Sequence, residues 1–191
     1  MRDTPRSSRQ QILDTAGALF FRDGFRAVGV DTIVAESGVA KMTLYRHFAS
    51  KDDLIVAYLE DSNARFWAWF EAATVDAHTP ADKLLAYFRA LEALVATPVC
   101  HGCPFLNAVV DFPESGHPGR RVAVAHKQAV RERFRTLAAD AGAADPDRLA
   151  DHLLLLMDGA FMAVRTFGVD NPAAHVAEAA RTLLRAQGAV G

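Results

Sequence analysis

The chain has 191 residues, 51% of them hydrophobic, two cysteines and a formal net charge of −2. That is enough apolar material for one or two compact domains with a sizeable core. No apolar run approaches the length of a membrane span, the densest being Leu153 to Met157, and the first ten residues lack the apolar segment of a signal peptide. A cytoplasmic protein without membrane contact is therefore expected. The small net charge hides an asymmetry: residues 1–51 carry eight Lys/Arg against five Asp/Glu, and residues 52–191 thirteen against eighteen. A basic head on an acidic body suits a protein that meets nucleic acid with one end.

In chain order, Ser7 and Ser8 offer caps to a first helix, with Gln10 and Gln11 in capping-box positions. Ile12, Ala16, Leu19 and Phe20 then recur at helical spacing, and Asp23-Gly24 ends the run. Two short helices are expected next, at about 30–37 and 41–47, joined through Gly38, where the chain must turn sharply and glycine tolerates positive φ. Ile33 and Val34 supply the apolar side of the first, and Val39, Leu44 and Phe48 the buried side of the second. Ser50-Lys51-Asp52-Asp53 opens a fourth helix reaching to about residue 73. Thr79-Pro80-Ala81-Asp82 combines a cap, a proline at the first position and an acid at the third, opening a fifth to about residue 96.

Residues 97–103 read as a loop. A short sixth helix follows from Pro104, a longer seventh from Pro118 to about 140, an eighth from Asp145-Pro146 to about 167, and a ninth from Asn171-Pro172 to Gly188. No strand alternation is visible. The eighth helix is apolar around most of its girth and must be covered on more than one side.

The stretch from Val30 to Leu54 reads as a helix-turn-helix whose second helix enters the DNA major groove. Within it, Gly38, Val39, Lys41, Thr43, Leu44, Tyr45, His47, Phe48, Ser50 and Lys51 form a run that resembles the signature of TetR-type transcriptional regulators. The resemblance implies an all-α, nine-helix protein. Residues 6–66 would form a helix-turn-helix head with its linking helix, and residues 67–191 a ligand-binding and dimerisation body. It implies a homodimer on a palindromic double-stranded DNA operator, a repressor released by a small apolar or aromatic effector, with no enzymatic activity and no cofactor.

Individual roles follow from the matched positions. Lys51 brings a cation and free backbone N–H groups to a phosphate; Tyr45 and His47 occupy positions that contact the sugar-phosphate backbone. Lys41, Met42, Thr43 and Arg46 are the candidates to approach base edges, where an arginine would favour guanine and Met42 could meet a thymine methyl. Two departures stand out: Ala40 and Gly29 replace hydroxyl caps, leaving Thr32 as the nearest substitute phosphate contact, beside Asp31 which repels phosphate. In the body, Phe66, Phe70, Phe88, Phe105, Phe134, Met157 and Phe161 are candidates to line an effector pocket. Cys103, Asn107, Asp111, His126 and Arg165 are candidates for its polar groups. Leu153, Leu156, Ala160 and Val164 on the eighth helix, and Val176, Ala180, Leu183 and Leu184 on the ninth, are the dimer-interface candidates.

Two alternatives rest on Cys100-His101-Gly102-Cys103. A C-x-x-C spacing can form a disulfide or, with His101, His117 or His126, hold a metal. The first gives a thiol-redox-responsive regulator and the second a helical metal-dependent enzyme. Gly102, Cys103, Pro104 and Asn107 also resemble a TetR-type helix start, which makes the segment structural.

Overall fold

A computed structural model describes residues 7–189. Among these there are nine α-helices and no strand: α1 (Ser8–Asp23), α2 (Val30–Ser37), α3 (Lys41–His47), α4 (Lys51–Thr74), α5 (Pro80–Val95), α6 (Pro104–Asp111), α7 (Pro118–Asp140), α8 (Pro146–Phe167) and α9 (Val176–Ala186). Local chemistry sets the starts. The Ser7 hydroxyl accepts from the Gln10 N–H. Ser50 accepts from the Asp53 N–H and donates to its carboxylate, and Thr79 does the same with Asp82, so each hydroxyl caps a backbone donor while the carboxylate orients it. The start of the ninth helix differs from expectation. Asn171 accepts from the Ala173 N–H, two residues on, and tightens Pro172–His175 into a 3-10 turn before α9 begins.

The chain divides into two compact units. The first comprises the described residues up to Ala64 together with Pro104–Val124; the second comprises Arg65–Cys103 and the residues from Ala125 on. α4 and α7 each begin in the first unit and end in the second.

In the first unit, α1, α2 and α3 pack around Ile12, Leu19, Phe20, Ile33 and Leu44, all essentially without exposed surface. Gly38 closes α2 with φ +66°, and its N–H donates to Val34. The Gln11 side chain crosses from α1 to donate to the Ser37 carbonyl at 2.7 Å, satisfying a helix-end acceptor. Gly17 lets α1 approach α4: a Cβ there would sit 2.7 Å from the Tyr58 ring. α6 is stitched to the α1–α2 connection. The Asp111 carboxylate accepts the Phe25 N–H at 2.6 Å, and the Arg26 guanidinium reaches the Asp111 carbonyl and both Glu114 oxygens. Arg120 donates to the carbonyls of Val109 and Phe112, ending α6.

In the second unit, α5, α8 and α9 pack mutually through Leu84, Leu91, Leu149, Leu153, Ala180 and Leu184. Buried Asn171 ties this layer together, donating to the carbonyls of Val95 and Gly168 while accepting from Ala173. Glu92 accepts the Ala177 N–H near the start of α9, where a carboxylate also suits the helix dipole.

Asn171→Ala would leave the Val95 carbonyl and the Ala173 N–H without these bonds in a buried setting. The expected cost is about 1–3 kcal/mol of unfolding free energy in urea titration, with the head unit's helices unchanged.

Candidate functional site

The short helix α3 lacks a side-chain cap, as does α2, because Ala40 and Gly29 carry no hydroxyl. It is fixed instead by two anchors: Leu44, with no exposed surface, and Phe48, nearly buried. The opposite face is open. Met42 is 82% exposed, and Lys41, Tyr45, Arg46 and His47 are exposed as well, while Thr43 is half-buried. Thr32 is exposed on α2 and Lys51 half-buried at the start of α4. All eight DNA-binding candidates therefore lie in one unit, and none is spent on the core.

The electrostatics of this face hold two surprises for a reading by motif. Lys41 pairs with Asp31 across the turn at 2.7 Å, and the hydrogen bond and charge of Asp31 raise the ammonium's affinity for its proton. The acid judged hostile to phosphate thus holds one of the base-facing cations. Lys51 points its ammonium toward the Arg26 carbonyl at 3.4 Å, and partial burial lowers its pKa. Sequence reasoning missed Arg9, whose guanidinium lies over the Phe48 ring at 5.4 Å. Its place on the first turn of α1, in the basic head, was the available signal.

The effector candidates separate into two groups. Phe105, Asn107 and Asp111 lie on α6 in the first unit, with Asp111 occupied by the Phe25 N–H. The rest lie in the second unit. There Phe66 stacks edge-on against His126 at 4.7 Å and neighbours Phe70 at 6.4 Å, and Phe88 lies 5.8 Å from Phe134. Met157 and Phe161 are buried on α8. Burial, with the charge of Lys127 adding to it, pushes His126 down to about 3, so it is neutral at ordinary pH. Arg165 is exposed, and its stem lies over Gly102 (φ +106°), where a Cβ would meet the Arg165 Cγ at 2.9 Å.

The centre of the cluster is a residue that the sequence reading passed over. Tyr87 lies within 5.0–5.4 Å of Trp69, Phe70, Phe88 and Phe134. Its position was legible: Leu84, Tyr87, Phe88 and Leu91 share the helical stripe that α5 buries.

The cysteine alternatives gain no support. Cys100 and Cys103 are both buried free thiols, and burial raises Cys100 above its ordinary value, away from the reactive thiolate. His101 is exposed, His117 stacks on Phe112 at 3.6 Å, and His126 packs on Phe66. Among the described residues no group of three His, Cys, Asp or Glu side chains could hold a metal ion.

Of the dimer candidates, Leu153, Ala180 and Leu184 have no exposed surface, and Ala160, Val164 and Val176 very little; they are largely or wholly taken up inside the second unit. Leu156 and Leu183 are half-buried. The uncovered face lies one position round α8 and α9. It is an apolar groove whose walls include Leu155, Leu156, Gly159, Ala163 and Ala179, with Leu155 69% exposed.

Two family profiles match the chain: that of bacterial regulatory proteins of the tetR family over residues 12–58, and the Tetracyclin repressor-like C-terminal domain over residues 80–180. The chain belongs to the TetR family and is a DNA-binding transcriptional regulator. Its structure resembles that of SCO4454, a TetR-family transcriptional regulator from Streptomyces coelicolor, with TM-score 0.89 and 34% identity over 94% of this chain and 95% of that one.

The HTH-type transcriptional regulator YjdC of Escherichia coli is 24% identical over 170 residues, 87% of this chain and 89% of that protein. The HTH-type transcriptional activator FasR of Mycolicibacterium smegmatis is 42% identical over 57 residues, and this chain spans about a quarter (26%) of its length. The family and these neighbours are transcriptional regulators, not enzymes. Among the described residues no helix is long and apolar enough to cross a membrane.

Asp31→Asn would release Lys41 and remove a carboxylate beside the exposed face of α3. DNA affinity is expected to rise several-fold at low salt, with the slope of log K against log salt steeper by about one, as measured by fluorescence anisotropy.

Proposed function

We propose that the protein is a homodimeric repressor that binds a palindromic operator and is released by a small apolar or aromatic effector. The observation that carries the DNA reading is the division of α3 into two faces. Leu44 and Phe48 are buried, while Lys41, Met42, Tyr45 and Arg46 remain exposed on a helix that follows a tight left-handed turn. In this reading α3 enters the major groove, with Thr43 and these exposed residues approaching bases and phosphates. Tyr45, His47 and Lys51 hold the backbone, and Thr32 contributes from α2.

The dimer is supported by the apolar groove on α8 and α9. A surface with Leu155, Leu156 and Ala163 beside small residues at Gly159 and Ala179 allows helices of a second copy to approach closely. Two-fold symmetry then places two α3 helices about one DNA turn apart. The effector reading is supported by the aromatic cluster of the second unit. α4 carries Lys51 at one end and Phe66, Trp69 and Phe70 at the other, so one helix covalently links a DNA contact to the cluster. An effector acts by binding the non-operator conformation more tightly, and shifts the equilibrium only by that difference.

Binding of the full-length protein to the DNA upstream of its own coding region, across a salt series, tests the assignment. Tight, salt-sensitive binding is expected, and Tyr45→Ala/Lys51→Ala is expected to weaken it at least about a hundredfold. Retained affinity in the double variant would remove α3 and the start of α4 from the interface. Leu155→Glu is expected to convert the dimer to a monomer in analytical ultracentrifugation and to abolish cooperative occupancy of the two half-sites. A dimer that survives this change would place the interface elsewhere.

A further inference from the structure

Between Gly29 and Phe48 the chain has two acids, Asp31 and Glu36. Glu36 lies 3.7 Å from Arg22 of α1. Asp31 reaches across the turn instead, and its Oδ1 accepts from the Lys41 ammonium at 2.7 Å. Both side chains are open to solvent, Asp31 83% and Lys41 55% exposed. An exposed pair of this kind adds little to stability, and the dipole at the start of α2 would favour an acid there without any lysine. Folding therefore gives little reason for the pair. Its place gives one: Lys41 is the first residue of α3, and the N-terminal residues of such a helix are the ones that meet base edges.

A carboxylate on a DNA-facing surface is selective through what it refuses. The sugar-phosphate backbone offers it negative charge and acceptors, and the donors within the major groove are the amino groups of cytosine and adenine. While Asp31 holds Lys41, it also withholds that cation from generic phosphate contact.

Together the two side chains present a donor and an acceptor 2.7 Å apart. The major-groove edge of a G·C pair presents the complement. Guanine O6 accepts and cytosine N4 donates, about 2.9 Å apart because they are hydrogen-bonded to each other. Guanine N7 adds a second acceptor for the remaining ammonium protons. An A·T pair fits less well, because the thymine methyl crowds O4 and adenine N7 lies beside the amino group, where it repels the carboxylate.

We propose that the Asp31–Lys41 pair is a specificity-determining element of the DNA contact and reads one G·C pair in each half-site. Lys41 donates to guanine O6 and N7, and Asp31 accepts from the cytosine amino group. The proposal rests on the placement of α3 in the major groove and names a base pair which that placement selects. The rise in affinity expected when Asp31 loses its charge is then largest for DNA without that base pair, so affinity increases while discrimination falls.

Selection of sites from random-sequence duplex DNA tests it, with full-length wild type, Asp31→Ala, Lys41→Ala and the double variant. Wild type is expected to enrich a two-fold motif with a G·C pair at one position in each half. Both single variants are expected to lose preference at that same position and keep the others. In fluorescence anisotropy on the selected duplex, exchanging that G·C for A·T is expected to weaken wild type about tenfold and either single variant less than about twofold. The double variant should match the singles, since one shared contact can be lost only once. Asp31→Ala should bind an unrelated duplex more tightly than wild type. Because both side chains are exposed, the variants should keep a near-wild-type Tm, which confirms folding.

Loss of preference at different positions in the two single variants, or at an A·T pair, would overturn the assignment. So would an enriched motif indifferent to both residues. A wild type that enriches no sequence would overturn the major-groove reading of α3 together with this one, which separates the two failures.

Discussion

A seven-residue helix cannot hold itself together in water. Nucleation costs more than two turns of hydrogen bonding return, and isolated helices shorter than about 12–15 residues are marginal even with favourable sequences. α3 has neither the length nor a side-chain cap. It persists because Leu44 and Phe48 are driven into the core that α1 and α2 already form around Ile12, Phe20 and Ile33. Everything the head can do follows from that constraint. Two apolar residues a turn apart fix the helix axis and its rotation, so Lys41, Met42, Tyr45 and Arg46 are turned outward without any need for bonds of their own. Gly38 completes the arrangement: its left-handed φ lets α2 stop and the chain turn into α3 within three residues, which a side chain would resist.

The second unit has the opposite economy. Its helices are long enough to be stable by packing, and it spends aromatic volume on an interior that includes an unpaired phenol and a histidine kept neutral by burial. Structural cores usually satisfy such groups or exclude them. The groove on α8 and α9 is a second departure from ordinary surface design, since an open strip of leucine and alanine on an exposed helix pair invites a partner.

α4 and α7 join these economies through the backbone. Each starts among the residues of the head unit and ends among the aromatic residues of the body. α6, too, is committed to the head: Asp111 receives the Phe25 N–H, and Arg26 clasps the end of the helix. The chain also passes from one unit to the other between Cys103 and Pro104, so the C-x-x-C segment that invited a redox or metal reading ends at one of the three crossings between them.

The sequence by itself determined the helices, their order and the family. Hydroxyl caps at Ser50 and Thr79, prolines at first helical positions and a glycine at the α2–α3 turn are local signals, and their physics is complete within a few residues. The exposed face of α3 was also legible, because two apolar residues on so short a helix leave no choice of which side is buried. Tertiary structure alone decided the rest. It paired Lys41 with Asp31 across ten residues, assigned Asp111 to the Phe25 backbone, and turned Leu153, Ala180 and Leu184 inward so that Leu155 faces out. It placed Tyr87 at the centre of the aromatic cluster with its hydroxyl unpaired. A helix that is apolar all round does not say which stripe meets which neighbour. Ion pairs and orphaned hydroxyls exist only once distant segments are packed together, so no local pattern can encode them.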